Sequence, residues 1–196
     1  MFLMKLDNAG GVAWQKTYGG YLPLMVRSDN MGYTIAAGSG SVGNLLVLHV
    51  DAQGAVVSAQ QFNSGQPGLT PTALAASATA DGGIAFAGVY GLSAWAAKVN
   101  SADAIIWQQS VLSESNLGDS GNALFELPSG AIVVAGSRHV DEADANAFLW
   151  FIDANGASQK MNAYGSMFPI QKREAFGVST TTDGRIELTG GAGIFR

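Results

Sequence analysis

Apolar residues in this chain fall in short runs broken by Gly, Asp and Asn, and no stretch holds a convincing helical period. The runs repeat. An apolar strand ends in Asp7, Asp51, Asn100 and Asp153, a turn follows, a second strand carries Trp, Tyr or Phe, and later a strand lies between paired glycines. Those brackets are Gly32 and Gly38, Gly82 and Gly88, Gly130 and Gly136, and Gly184 and Gly190. The period is about fifty residues, which belongs to repeat architectures. With the copies registered on the strand-ending residue, one face reads Phe2, Leu46, Trp95, Phe148, then Met4, Leu48, Ala97, Trp150, then Leu6, Val50, Val99, Ile152. The opposite face, with Leu3, Val47, Ala96 and Leu149, is also apolar. Such a strand must be covered on both sides, as in sheets stacked face to face.

The turns carry their own signal. Asp7-Asn8-Ala9-Gly10, Asp51-Ala52-Gln53-Gly54 and Asp153-Ala154-Asn155-Gly156 combine a carboxylate that accepts backbone N–H groups with a glycine that allows positive φ. The third copy, Asn100-Ser101-Ala102-Asp103, lacks the glycine, so its turn is expected to differ. Between the third and fourth strands stand Asn30-Met31-Gly32, Asp81-Gly82-Gly83, Pro128-Ser129-Gly130 and Asp183-Gly184, all hairpin signals. The inner positions of the fourth strand align as Thr34, Ile84, Ile132 and Ile186, then Ala36, Phe86, Val134 and Leu188. Each repeat is a four-stranded antiparallel unit.

Units of this length, apolar on both faces, match the blade of a β-propeller. The phrase Asp7-x-x-Gly10-x-x-x-Trp14, followed later by glycine pairs such as Asp81-Gly82-Gly83, resembles the propeller-forming repeats of secreted or surface bacterial proteins. It is also similar to the tryptophan-containing blades of quinoprotein-like propellers. Ser58 and Lys160 stand where two copies would carry Trp, so the tryptophan belt is incomplete. The resemblance implies an all-β propeller, a single domain over residues 1–196 with repeats at about 2–40, 45–90, 94–138 and 147–193. The chain opens with two outer strands and finishes with two inner ones, so four four-stranded blades result if one blade is shared between the N- and C-terminal strands. Two chains pairing into a larger ring, or a segment of a longer array, fit the same strands.

Composition narrows the partners. The chain is 47% hydrophobic and 13% charged with 26 spread glycines, which excludes disorder. A formal charge of -5, with only 10 Lys and Arg scattered along 196 residues, argues against nucleic acid and anionic membranes. No cysteine is present, so disulfides, thiolate catalysis and Cys-zinc sites are excluded. The apolar runs are too short for a membrane-spanning helix. Met1 leads directly into the first strand without a signal-peptide pattern. The protein is then cytoplasmic, or the sequence starts after a removed leader or inside a longer polypeptide; the family resemblance favours an extracellular or periplasmic address.

Candidate chemistry is sparse. Loops opposite the Asp turns carry the variation: Tyr21-Leu22-Pro23, Gln66-Pro67-Gly68, Leu112 to Ser120, Arg138 to Asn146 and Met167 to Arg173. The most polar loop is Arg138-His139-Val140-Asp141-Glu142-Ala143-Asp144. Its acids at 141, 142 and 144 fit no standard calcium loop, which favours a solvated loop over a metal site. His139 has only His49 for company, far off in sequence, and His49 shares the column of Lys5 and Lys98. The repeated aspartates are explained by their turns, and Trp14, Trp95, Trp107 and Trp150 by blade packing. Gly38-Ser39-Gly40-Ser41-Val42-Gly43 has no Lys-Ser/Thr ending and no following helix, so it is no phosphate loop. Contact with a partner is expected at Tyr21, Tyr90 and Phe168, read as exposed, and at Arg138, His139 and Asp141.

Two function classes follow. The favoured one is a non-enzymatic binding or structural module, monomer or homodimer, whose loop face meets a protein or glycan, with no cofactor, metal or catalytic residue. The alternative, implied by the quinoprotein-like resemblance, is a propeller enzyme or cofactor carrier. That would need axial cation ligands and cofactor-stacking groups, and none is evident.

Overall fold

The computed structural model describes residues 1–39, 44–62, 71–111, 117–141, 144–165 and 172–193, and among these described residues there are sixteen strands and no helix. Two compact units result, Met1–Thr72 and Ala73–Arg196. The first holds β1 (Phe2–Leu6), β2 (Val12–Thr17), β3 (Leu22–Ser28), β4 (Gly32–Gly38), β5 (Leu45–Asp51) and β6 (Val56–Phe62). The second holds β7 (Thr72–Ala78) from its second residue, β8 (Ile84–Tyr90), β9 (Ser93–Val99), β10 (Ile105–Val111), β11 (Asp119–Glu126), β12 (Ile132–His139), β13 (Ala145–Ile152), β14 (Ser158–Tyr164), β15 (Lys172–Thr180) and β16 (Ile186–Gly193).

The hydrogen-bonded sheets are offset by half a repeat from the sequence period. The last two strands of one copy pair with the first two of the next, giving β3-β4-β5-β6, β7-β8-β9-β10 and β11-β12-β13-β14, each antiparallel. The terminal ribbons are β1-β2 in the first unit and β15-β16 in the second, where β15 meets β13 through one parallel bridge, Ala145 to Lys172.

The Asp turns behave as single devices. The Asp7 carboxylate accepts the N–H groups of Ala9 (2.9 Å) and Gly11 (2.8 Å), and Asp51 and Asp153 repeat this on Gln53 and Ala55 and on Asn155 and Ala157. The expectation that the third turn differs is overturned. The Asn100 side chain accepts from Ala102 and Ala104 in the same way, and Asp103 takes the left-handed conformation itself, at φ 57°. Asp tolerates that region better than most L-residues.

A second correction concerns register. The hairpins β7-β8, β11-β12 and β15-β16 close with bonds from Thr79 to Gly83, Leu127 to Ala131 and Thr181 to Arg185, but β3-β4 closes from Asp29 to Gly32, one residue sooner. Two Asp29 Oδ1 bonds, from the N–H of Met31 and of Gly32, hold that shorter turn. One residue reverses every side chain along β4. Ile35 lies opposite Leu48, as Val134 lies opposite Trp150, so Tyr33 and Ile35, not Thr34 and Ala36, match Ile132 and Val134.

Burial follows the two-sided pattern. In the second unit Ala85, Ala87, Ala94, Ala96 and Trp107 of one sheet pack on Leu124, Ile132, Val134, Phe148, Trp150 and Ile152 of the next. The other face of that sheet, with Val133, Ala135 and Leu149, is covered by Ala175, Val178, Ile186 and Leu188. In the first unit Met1, Leu3 and Tyr18 pack on Ile35, Ala37, Leu46, Leu48 and Val50.

Candidate functional site

Three of the expected contact residues converge at one end of the second unit. There β11 begins and β12 finishes, so Asp119 and Arg138 are direct cross-strand partners. Asp119 is 2% exposed. Its Oδ1 accepts the backbone N–H of His139 at 3.2 Å, its Oδ2 lies 3.8 Å from Arg138 Nε, and its own N–H is donated to Leu92 O at 2.9 Å. His139 Nδ1 lies 2.5 Å from Gly118 O, which requires the donating tautomer of that nitrogen. An Arg138 terminal nitrogen reaches Met161 Sδ at 3.5 Å. Asp141 is exposed, and its Oδ1 accepts the N–H of Asp144 at 2.8 Å, so the carboxylate shapes its own loop.

The buried carboxylate sits beside the Arg138 guanidinium and holds the His139 backbone, while Gly118 O fixes the imidazole, so little ordering of either side chain is left to binding. Around them Leu92, Leu117 and Val140 are exposed apolar groups, at 51%, 41% and 54%. Tyr90 is half-buried, two residues before Leu92 in the hairpin that pairs it with Ser93. Asp119 was absent from the sequence expectations. Its signal was faint: a lone acid after Gly118, in a loop without periodicity, acquires its role only through the β11-β12 register.

The remaining expectations divide. Tyr21, read as exposed, is half-buried against the core of the first unit, and its hydroxyl accepts a bond from Gln61 Nε2, so it is held as a packing residue. Phe168, residues 66–68 and Glu142 lie outside the described residues. The four tryptophans pack: Trp95, Trp107 and Trp150 are 3%, 7% and 0% exposed. Two of them share one joint. Trp14 lies against Gly54 and donates its indole N–H to Ala52 O at 2.9 Å, and Trp107 lies against Gly156. Each indole therefore sits on the Asp-turn glycine of the following repeat. Where Ser58 replaces the indole, the next turn carries Asp103 instead of glycine.

Charge is concentrated between two sheets of the second unit. Lys98, 4% exposed, donates to Asp81 at 2.9 Å and to Glu126 at 3.2 Å, and Glu126 also accepts the N–H of Ala80 at 2.5 Å. The Thr79 hydroxyl bond and then the Lys98 ammonium pull the Asp81 carboxyl down to about 2. Burial pushes the Lys98 ammonium down, but its bonds to Asp81 and Glu126 outweigh that and leave it raised. In the first unit, Thr34 hydroxyl donation lowers the Asp29 carboxyl, and the same hydroxyl lies 3.0 Å from His49 Nδ1. These groups staple strands; among the described residues no three His, Cys, Asp or Glu side chains are grouped to hold a metal.

No protein-family model matches the sequence, and no curated protein matches it significantly. Solved structures do. A Bacteroides caccae protein of unknown function is 15% identical, with a TM-score of 0.51 over 78% of this chain and 48% of its own. BBS1N, solved in complex with ARL6DN, is 12% identical, with a TM-score of 0.52 over 92% of this chain and 52% of its own. At such identity the likeness concerns the fold alone, and with the four-stranded antiparallel sheets it gives an all-β protein of β-propeller type. The chain spans about half the length of the structures it matches.

Proposed function

We propose that this chain is a non-enzymatic propeller module whose second unit offers the Tyr90, Arg138, His139 and Asp141 surface to a protein partner. One observation carries the reading: a buried carboxylate, Asp119, accepts the His139 backbone N–H and lies 3.8 Å from Arg138 Nε at a loop end flanked by exposed Leu92, Leu117 and Val140. An ordered arginine within an apolar surround is the composition of an interface centre. The loops are borne on ladders closed at both sides, which keeps the surface in place. The BBS1N structure is a complex with another protein, which lends the reading support by analogy of fold.

The test is proximity cross-linking in the source cell with the native chain, Val140→Asp and Asp141→Arg. Both positions are exposed, so the sheets should hold, and unfolding free energies should agree within about 1 kcal/mol even with the Asp141 to Asp144 bond lost. The reading expects one protein captured by the native chain and weakened at least tenfold in both variants, with binding reproduced by the purified pair. Equal capture by all three chains refutes it. Stoichiometric retention of a small cofactor by the native chain would support the enzyme class instead.

A further inference from the structure

The turn under Trp107 holds a reactive pair. Asn155-Gly156 is the one Asn-Gly step in the sequence. Asparagine is thermolabile because the main-chain nitrogen that follows can attack its side-chain amide, and a following glycine has no Cβ to shield that nitrogen. The turn itself does not demand asparagine. Its sisters carry Ala9, Gln53 and Ala102 at the same place and close in the same way, the fourth residue's N–H donating to the first residue's carbonyl at 3.0–3.1 Å.

The structure also shows what restrains the pair. Asn155 is exposed, so water and base reach its amide, whereas Gly156 is buried against Trp107. The Gly156 N–H donates to Asp153 O at 3.0 Å, and the Asp153 carboxylate accepts the N–H groups of Asn155 and Ala157 at 2.9 Å each. To attack, the Gly156 nitrogen must give up its proton and turn toward Asn155 Cγ, and a directional bond from that proton to a carbonyl opposes both. Reaction therefore waits on local opening of the turn, and its rate follows the open fraction.

We infer that Asn155-Gly156 is a deamidation site gated by the Asp153 turn. In the open turn Gly156 N bonds to Asn155 Cγ, the Cγ–Nδ2 bond breaks, and ammonia departs with the proton that the attacking nitrogen gives up. Water then opens the cyclic imide at either carbonyl. Breaking the new N–Cγ bond leaves aspartate, while breaking the original peptide bond leaves isoaspartate, whose main chain runs through the β-carbon and is one methylene longer. Either product adds a negative charge beside Asp153. The longer main chain no longer fits the closing bond and the Trp107 seat together, so an opening of the turn becomes permanent at a joint that anchors a core indole.

The test is incubation of the native chain, folded and in guanidinium, in mildly alkaline buffer at body temperature, followed by peptide mass spectrometry. Conversion of amide to carboxylate at Asn155 should run at least tenfold faster in the denatured chain. Asp81-Gly82 and Asp183-Gly184 have no side-chain amide to lose, so the mass gain at a glycine step reports Asn155. Asp153→Ala removes the acceptor of the Asn155 and Ala157 N–H groups and should convert at least threefold faster than the folded native chain. Asp153→Asn keeps an acceptor, as Asn100 does in its own turn, and should stay near the native rate. Far-ultraviolet spectra of both variants separate an opened turn from a lost fold, and the comparison of folded with denatured native chain needs neither variant. Absence of conversion at Asn155 in guanidinium overturns the site. Equal rates in the folded and denatured native chain, or a folded Asp153→Ala no faster than Asp153→Asn, overturn the gate.

Discussion

Replacing Gly156 by Ala tests the indole joint with the smallest possible change. Gly156 has φ +87°, and an added Cβ would lie 2.5 Å from Trp107 Cγ and 2.6 Å from its Cβ. Left-handed backbone alone costs an L-residue about 1–2 kcal/mol. Displacing a buried indole adds the overpacking cost of about 1–3 kcal/mol. The total, about 2–5 kcal/mol, should lower the melting temperature by about 4–20 °C at the roughly 2–4 °C per kcal/mol expected for a chain of this length. Gly184→Ala is the control in the same unit: φ is +82° and nothing lies within 4 Å of the new Cβ, so the backbone term acts alone. Urea unfolding followed by far-ultraviolet circular dichroism gives each value without relying on tryptophan emission. Trp107→Ala should itself cost about 3–5 kcal/mol. In the double variant Gly156→Ala/Trp107→Ala the glycine change should cost no more than in the control, a coupling of about 1–3 kcal/mol. Equal losses at Gly156 and Gly184, or additivity within about 0.5 kcal/mol, would show that the indole does not rest on the turn.

Three further outcomes follow from the polar clusters. Lys98→Ala strands the Glu126 carboxylate at 9% side-chain exposure, and a broken buried pair costs about 3–5 kcal/mol, measured by urea unfolding. Glu126→Gln in the same chain should recover part of that loss. Asp81 has its carboxyl held at about 2, below its ordinary value, so its stabilisation is complete above about pH 4 and disappears as pH falls through 2. Its side chain is 49% exposed, so screening leaves about 1 kcal/mol; Thr79→Val should move the carboxyl back toward its ordinary value by ¹³C NMR titration. Asp119→Ala removes the acceptor of the His139 N–H and should cost about 1–3 kcal/mol while speeding amide exchange at His139 and Val140. Unchanged exchange there would separate the rim from its carboxylate.

The strands and their two-sided burial were legible because a covered strand must be apolar at successive positions, and the three aligned columns of β1, β5, β9 and β13 show that directly. The Asp turns were legible for the same local reason. Register in β4 was not, because the Gly32 to Gly38 spacing copies the other brackets while the turn before it is one residue shorter, and hairpin closure is decided by bonds from Asp29. Nor was the turn at Asn100, where backbone demand outweighed residue preference and Asp103 took the glycine's conformation. At the candidate site, Arg138, His139 and Asp141 could be picked out by polarity. Asp119 could not, since its importance comes from a cross-strand neighbour about twenty residues away. Tyr21 shows the converse, an aromatic read as exposed that is half-buried against the first unit's core.

The indole joint links a residue in one repeat only to the turn of the repeat that follows. A genetic exchange that moves Trp107 and Gly156 together therefore carries a complete fitting, while one that separates them leaves an indole without a seat or a bare turn. Duplication or loss of blades is then least costly at breakpoints that keep both partners on the same DNA fragment, so the spacing between them sets the smallest unit by which such a protein can grow or shrink.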